Sequence, residues 1–181
     1  MNVVKIGVGD LKARPGGEIE FKGQEKWSRL ATAAGSVPVI APVRVTGKVT
    51  NTGKTLLVEG QVATTLELTC DRCLEKYRYP LVAALEEEYG STKTPGEEGT
   101  GIGEETGVRP LVGDFIDLKP AMEEALLLAI PMKWLCRENC RGLCPRCGRN
   151  LNEGLCQCDT RTLDPRLAVL EELLREREGE S

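Results

Sequence analysis

The sequence predicts an α+β fold: a curved antiparallel sheet packed by one or two helices, with a small cysteine-rich hairpin near the C-terminus. Three features predict it. Residues 37–89 alternate apolar and polar side chains about an "NTGK" turn, the period-2 pattern of antiparallel strands with one buried face. "IDLKPAMEEALLLAIP" carries a helical pattern between a start signal and a stop. "CRENCRGLCPRCGRNLNEGLCQC", residues 136–158, crowds most of the chain's 8 cysteines into one short stretch.

The 181 residues have room for one ordinary domain with a small appended module. The expected division is an antiparallel β domain over 1–130 and a cysteine-rich module over 131–181 that ends in a C-terminal helix. "NVVKIGV" and "GEIEFKG" read as strands, with "ARPGGE" turning between them. Val43, Val45 and Val49 alternate with Arg44, Thr46, Lys48 and Thr50. Beyond the turn, the apolar pattern from Leu56 to Leu68 is read as changing phase, which predicts a bulge near Gly60. A third strand over 76–89 follows "CDRC". Residues 91–109, "STKTPGEEGTGIGEETGVR", offer almost nothing to bury and read as an acidic flexible loop. In the helix over about 117–130, Asp117 is the expected N-cap, Pro120 lies in the first turn and Pro131 is the stop. Leu118, Met122, Ala125, Leu126 and Ala129 form its packing stripe. "LDPRLAVLEELLRERE" predicts the C-terminal helix, capped by Asp164, with Pro165 first and Leu167, Leu170 and Leu174 on one face.

Composition narrows the function. Hydrophobic residues make up 40% and aromatics 4%, so the core must be aliphatic. A net charge of -4 argues against a surface that is basic throughout, and DNA is not an expected partner. No run of 18 apolar residues occurs, so no membrane span is expected. The start, "MNVVKIGVGDLKARPGGEIEF", lacks the charged-then-apolar pattern of a secretory signal, which predicts a cytoplasmic protein. In that reducing compartment, clustered thiols point to metal rather than to disulfides.

"CPRCG", holding Cys144 and Cys147, has the form of a zinc knuckle. Its backbone N–H groups turn toward sulfur, and Gly148 supplies the left-handed residue that closes the turn. Zinc takes four thiolates in a tetrahedron, and the chain has 0 histidines to substitute for them. Cys156 and Cys158 are the natural second pair, with "GRNLNEGL" long enough for a minimal hairpin between the pairs. The predicted set is Cys144, Cys147, Cys156 and Cys158. Cys140 and then Cys136 are the substitutes, since the spacing of Cys136, Cys140 and Cys144 puts one thiol per turn if the segment is helical. Cys70 and Cys73, in "LTCDRCLEKY", either join Cys136 and Cys140 in a second site or are free thiols in a tight turn. A redox CxxC belongs at a helix N-terminus, whereas "LCPRCGRN" is a glycine-flanked loop. Four thiolates leave no open position for water, so the zinc is read as structural and the chain as no enzyme. The alternatives to keep are a zinc-dependent hydrolase or a dithiol oxidoreductase.

Lys133, Arg137, Arg141, Arg146, Arg149, Arg161 and Arg166 outnumber the acids Glu138, Glu153, Asp159 and Asp164 around this cluster. Arginine grips phosphate bidentately, so Arg141, Arg146 and Arg149 are candidate RNA-backbone contacts. A zinc with four thiolates carries about -2, which offsets much of that surplus and keeps a protein-binding adaptor as the rival reading.

Taken in order, "LTCDRCLEKYRYPL", an acidic gap, "IDLKPAMEEALLLAIPMKWLC", "CRGLCPRCGRNLNEGLC" and "LDPRLAVLEELL" resemble the bacterial YceD family over residues 40 to 175, in a cysteine-rich version. The resemblance implies a non-catalytic cytosolic factor for the accumulation of large-subunit ribosomal RNA. Its expected partner is that RNA or its precursor particle, or a ribosomal protein. The resemblance also implies that zinc is a staple of the fold rather than its working centre.

Overall fold

The computed structural model describes residues 5–32, 35–90, 107–111 and 113–158. The chain divides into two compact units, one of Met1–Thr69 with Lys76–Trp134, the other of Cys70–Glu75 with Leu135–Ser181. The short segment "CDRCLE", which joins two strands of the first unit, thus belongs with the cysteine-rich C-terminal part.

The first unit is built on a five-stranded sheet. Its strands are β2 (Glu18–Glu25), β5 (Val43–Asn51), β6 (Leu56–Thr69), β7 (Lys76–Gly90) and β8 (Val108–Pro110), in the order β2-β5-β6-β7-β8. The first four pair antiparallel, and β8 joins parallel to β7. Two small ribbons complete it: β1 (Lys5–Gly7) with β9 (Phe115–Asp117), and β3 (Arg29–Thr32) with β4 (Gly35–Pro38). The helices are a single turn, α1 (Gly9–Lys12), and α2 (Lys119–Ala129). The curved, mostly antiparallel sheet with helices is as the sequence predicts. The predicted bends of the chain need two corrections. The turn after the first strand is preceded by α1. Val108 and Arg109, expected in the acidic loop, lie in β8. Residues 91–106 of that loop, and the predicted C-terminal helix from Asp164 onward, lie outside the described residues.

No bulge interrupts β6 at Gly60. Pairing with β7 runs unbroken from Leu56↔Tyr89 to Thr69↔Lys76, and pairing with β5 passes through Gly47↔Gly60. Leu56, Val58, Val62, Leu66 and Leu68 therefore point to one face, and all are buried. What Gly60 supplies is close approach. A Cβ on Gly60 would lie 2.4 Å from the Thr46 carbonyl oxygen, and one on Gly47 would lie 2.2 Å from that of Glu59. The paired glycines let the strands bend past one another, and the Phe21 ring covers the gap, 2.8 Å from where the Gly47 Cβ would sit. Bending brings the aliphatic face around a core of Val43, Val45, Val49, Leu81 and Leu85.

Helix α2 closes that core through Ala121, Met122 and Leu126, which are buried, with Leu118 just before it. Ala125 and Ala129 of the predicted stripe are half-buried at its margin. The helix starts two residues later than the sequence suggests. Leu118 is the N-cap, yet the Asp117 carboxylate accepts the Lys119 N–H at 3.0 Å and satisfies one free amide. Arg109 of β8 clamps the same helix to the sheet, donating to Glu87 of β7 at 2.8 Å and to Glu124. At the same end of the strands, where Asn51, Leu56, Tyr89 and Arg109 pair in one row, Asn51 donates to the Leu11 carbonyl at 2.8 Å while its side-chain oxygen accepts the Gly53 N–H, also at 2.8 Å. One buried amide thus fixes both α1 and the "NTGK" turn.

Two measurements test this packing. Gly60→Ala should destabilise the chain by about 1–3 kcal/mol in denaturant unfolding, because the new methyl meets backbone rather than a movable side chain; a neutral variant would contradict the close approach. The Tyr89 hydroxyl is buried with no hydrogen-bond partner among the described residues, and burial pushes its pKa up to about 12. Tyr89→Phe should leave stability unchanged or raise it, since an unpaired buried hydroxyl costs about 1–3 kcal/mol. A loss above 1 kcal/mol would reveal a partner for that oxygen.

Candidate metal centre

The cysteine-rich unit contains two turns of the same construction. In the first, Cys70–Glu75, the Leu74 N–H donates to the Cys70 carbonyl at 2.9 Å and the Cys70 N–H to the Glu75 carbonyl at 2.8 Å. In the second, Cys144–Arg149, the Gly148 N–H donates to the Cys144 carbonyl at 2.9 Å and the Cys144 N–H to the Arg149 carbonyl at 2.8 Å. The residue after each second cysteine is left-handed: Gly148 at φ 71°, as its sequence predicts, and Leu74 at φ 60°. Glycine adopts that conformation freely and leucine does not.

This closure turns amides toward sulfur. The N–H groups of Cys147 and Arg146 aim at the Cys144 thiol and, against the opposing effect of burial, hold its pKa at about 6. Burial pushes the Cys70 thiol up, but the N–H groups of Cys136, Cys73 and Arg72 more than reverse this, so that it lies at about 6. One thiol of each group meets the opposite field. Burial and then the sulfurs of Cys140, Cys73 and Cys70 push Cys136 up to about 12, and Cys147, burial and Cys156 push Cys158 up to about 12.

The eight thiols gather into two groups of four. Cys144, Cys147, Cys156 and Cys158 form one, and Cys70, Cys73, Cys136 and Cys140 the other; within each, all sulfurs lie within 4.8 Å of one another. In the second group the Cys70 and Cys140 sulfurs are 3.8 Å apart and those of Cys73 and Cys136 3.7 Å. Four sulfurs at about 2.3 Å from a central ion form a tetrahedron with edges of about 3.8 Å, whereas a disulfide needs about 2.05 Å. All eight cysteines are free. Both groups could hold a metal ion, and a divalent cation would relieve the mutual repulsion that four close thiolates otherwise impose.

Cys136 and Cys140, considered as substitutes in the C-terminal quartet, stand with Cys70 and Cys73 instead. The segment from Cys136 to Cys144 is not helical. The Cys140 N–H donates to the Arg137 carbonyl at 3.1 Å in a turn, which separates Cys144 from the other two thiols. Nor do the eight residues "GRNLNEGL" make a hairpin. The antiparallel bridge is Leu143↔Asn150, flanking the Cys144–Cys147 turn, and the loop beyond folds back as Leu151 N–H donates to the Gly142 carbonyl at 2.9 Å. Arg141, Arg146 and Arg149 are exposed on this unit. Arg72 joins them there, exposed, with its guanidinium donating to the Cys140 carbonyl at 2.9 Å. Arg72 is not among the arginines the sequence singles out, because the sequence leaves open whether "CDRC" joins Cys136 and Cys140 or is a separate turn. The pairing of "CDRCL" with "CPRCG" was the available signal.

No helix among the described residues is long and apolar enough to cross a membrane. The chain is 34% identical over 127 residues to an uncharacterised protein of Mycobacterium tuberculosis, covering 70% of this chain and 59% of that protein. It thus spans about three-fifths of the length of the mycobacterial relatives it matches. The uncharacterised protein YlbN of Bacillus subtilis is 28% identical over 167 residues, 92% of this chain and 94% of the relative. A protein of Arabidopsis thaliana described as "Large ribosomal RNA subunit accumulation protein YCED homolog 1, chloroplastic" is 28% identical over 165 residues, 76% of this chain and 51% of that protein. No solved structure matches the chain. A family model described as "Large ribosomal RNA subunit accumulation protein YceD" matches residues 58–174, from within β6 through both cysteine quartets, and the chain belongs to the YceD family.

Proposed function

We propose that this protein is a non-catalytic cytoplasmic factor that supports the accumulation or processing of large-subunit ribosomal RNA, holding that RNA or its precursor particle on the cysteine-rich unit. Membership of a family described by large-subunit RNA accumulation carries the reading. In it, Cys144, Cys147, Cys156 and Cys158 bind a structural zinc ion. Four sulfurs fill a tetrahedral sphere, so no position remains for an activated water. The zinc fixes the loop that presents Arg141, Arg146 and Arg149, whose exposure supports contact with backbone phosphate.

A second reading, docking to a ribosomal protein without RNA contact, is supported by charge. The chain carries -4 before metal, and each zinc with four thiolates contributes about -2, which favours a cationic partner. Reversing Arg141, Arg146 and Arg149 to Glu separates the two. On the RNA reading, affinity for a large-subunit RNA fragment falls and its dependence on salt flattens. Unchanged RNA binding, together with tight binding to a purified ribosomal protein, would establish the adaptor instead.

Metal removal tests the structural role. A strong chelator should release zinc and expose its thiols to titration, while far-UV circular dichroism keeps the sheet signal, because the first unit has its own aliphatic core. Collapse of the whole spectrum would show that the metal holds the sheet as well.

A further inference from the structure

The Cys70, Cys73, Cys136 and Cys140 group has the features of a closed site. Cys70, Cys73 and Cys140 are buried, and the two short sulfur separations match a tetrahedral edge. Leu74 is held in a conformation costly for a branched side chain, at the step where the other turn uses glycine. Tight connections between strands often need a left-handed residue, but glycine or asparagine ordinarily supplies it. Here leucine holds that conformation in a turn that repeats the hydrogen bonds of the Cys144–Arg149 turn.

The group is also tied to its neighbour. Asn152 lies on the loop between Cys147 and Cys156, yet its amide donates to the Cys140 sulfur at 3.3 Å. The same side chain accepts the Arg141 N–H at 2.9 Å and donates to the Asn150 side-chain oxygen at 2.8 Å. Asn150 in turn donates to Glu75 of the first turn at 2.9 Å, and the Leu143 N–H donates to the Arg72 carbonyl at 3.1 Å. The loop that one quartet shapes therefore supplies an outer hydrogen bond to a sulfur of the other. Such outer partners orient a ligand and favour its charged form.

We propose that Cys70, Cys73, Cys136 and Cys140 bind a second zinc ion, and that Asn152 is the positioning residue through which occupancy of the C-terminal quartet tightens it. The proposal rests on zinc binding at the C-terminal quartet. Each thiol that enters the coordination sphere gives its proton to solvent and forms a Zn–S bond, with no change of oxidation state. The two sites load with positive cooperativity, since ligation at Cys147 and Cys156 fixes the loop before Asn152 meets Cys140.

Elemental analysis of the full chain, with zinc competition against a chromophoric chelator and cobalt substitution to follow thiolate charge-transfer absorption, tests this. The unaltered chain should hold two zinc ions and Cys70→Ser/Cys73→Ser one. Asn152→Asp keeps the acceptor for the Arg141 N–H but removes the donor to sulfur. It and Asn152→Ala should weaken the site at Cys70 by about 10–100-fold, while the C-terminal site's own affinity, measured in the Cys70→Ser/Cys73→Ser background where coupling is absent, stays unchanged. Cys144→Ser/Cys147→Ser should weaken the Cys70 site similarly, and adding Asn152→Ala to it should then change little. An unaltered chain that holds only one zinc ion, with Cys70→Ser/Cys73→Ser holding that one as well, or affinities indifferent to both Asn152 variants, overturns the proposal while leaving the C-terminal site standing. A chain that binds no metal at all overturns the reading of both quartets.

Discussion

Amides aimed at sulfur are the constraint on which the cysteine-rich unit depends. Thiols packed this closely resist ionisation together, and the structure answers with backbone dipoles at the first cysteine of each turn. Those dipoles exist only if the chain reverses within a few residues and closes twice on itself, carbonyl to amide. The closure in turn demands a left-handed residue, which is why Gly148 and Leu74 occupy equivalent positions. Sequence, backbone conformation and thiol chemistry are one chain of cause at each turn.

The sheet meets a different demand. Strands as long as β6 and β7 cannot enclose an aliphatic core while flat, and an aromatic content of 4% leaves few large side chains to fill a wide gap. Curvature at Gly47 and Gly60 narrows the space to one that valine and leucine can fill, and Phe21 is placed where the missing side chains would leave a hole. The long hairpin ends in Cys70–Glu75, so its connecting turn is built by thiol geometry rather than by the usual glycine or asparagine chemistry.

Much of this was legible in the sequence where one physical effect dominates. Alternating valines in β5 and the stripe on α2 report burial directly, and the start and stop prolines bound the helix closely. The bulge was a misreading across Gly60: a residue without a side chain gives no sign of which face it occupies, and the flanking residues in fact keep one phase. β3, β4, β8 and β9 are too short for any periodicity to register, and only their partners make them strands. At the cysteines, "CPRCG" showed its turn through glycine, whereas "CDRCL", with leucine in that place, allowed either a tight turn or half of a second site and gave no sign that it repeats the "CPRCG" turn. The grouping of Cys70 and Cys73 with Cys136 and Cys140 is a matter of tertiary structure, which spacing along the chain does not encode.

That long-range grouping has a consequence for biosynthesis. Cys70 and Cys73 leave the ribosome well before Cys136 and Cys140, so the emerging chain carries an incomplete ligand pair until β7, β8, β9 and α2 have followed. Joining the early pair to the late one closes a large loop, a step whose entropic cost is smaller once the intervening strands are already paired. The sheet is thus positioned to form first, and the cysteine-rich unit to mature after it.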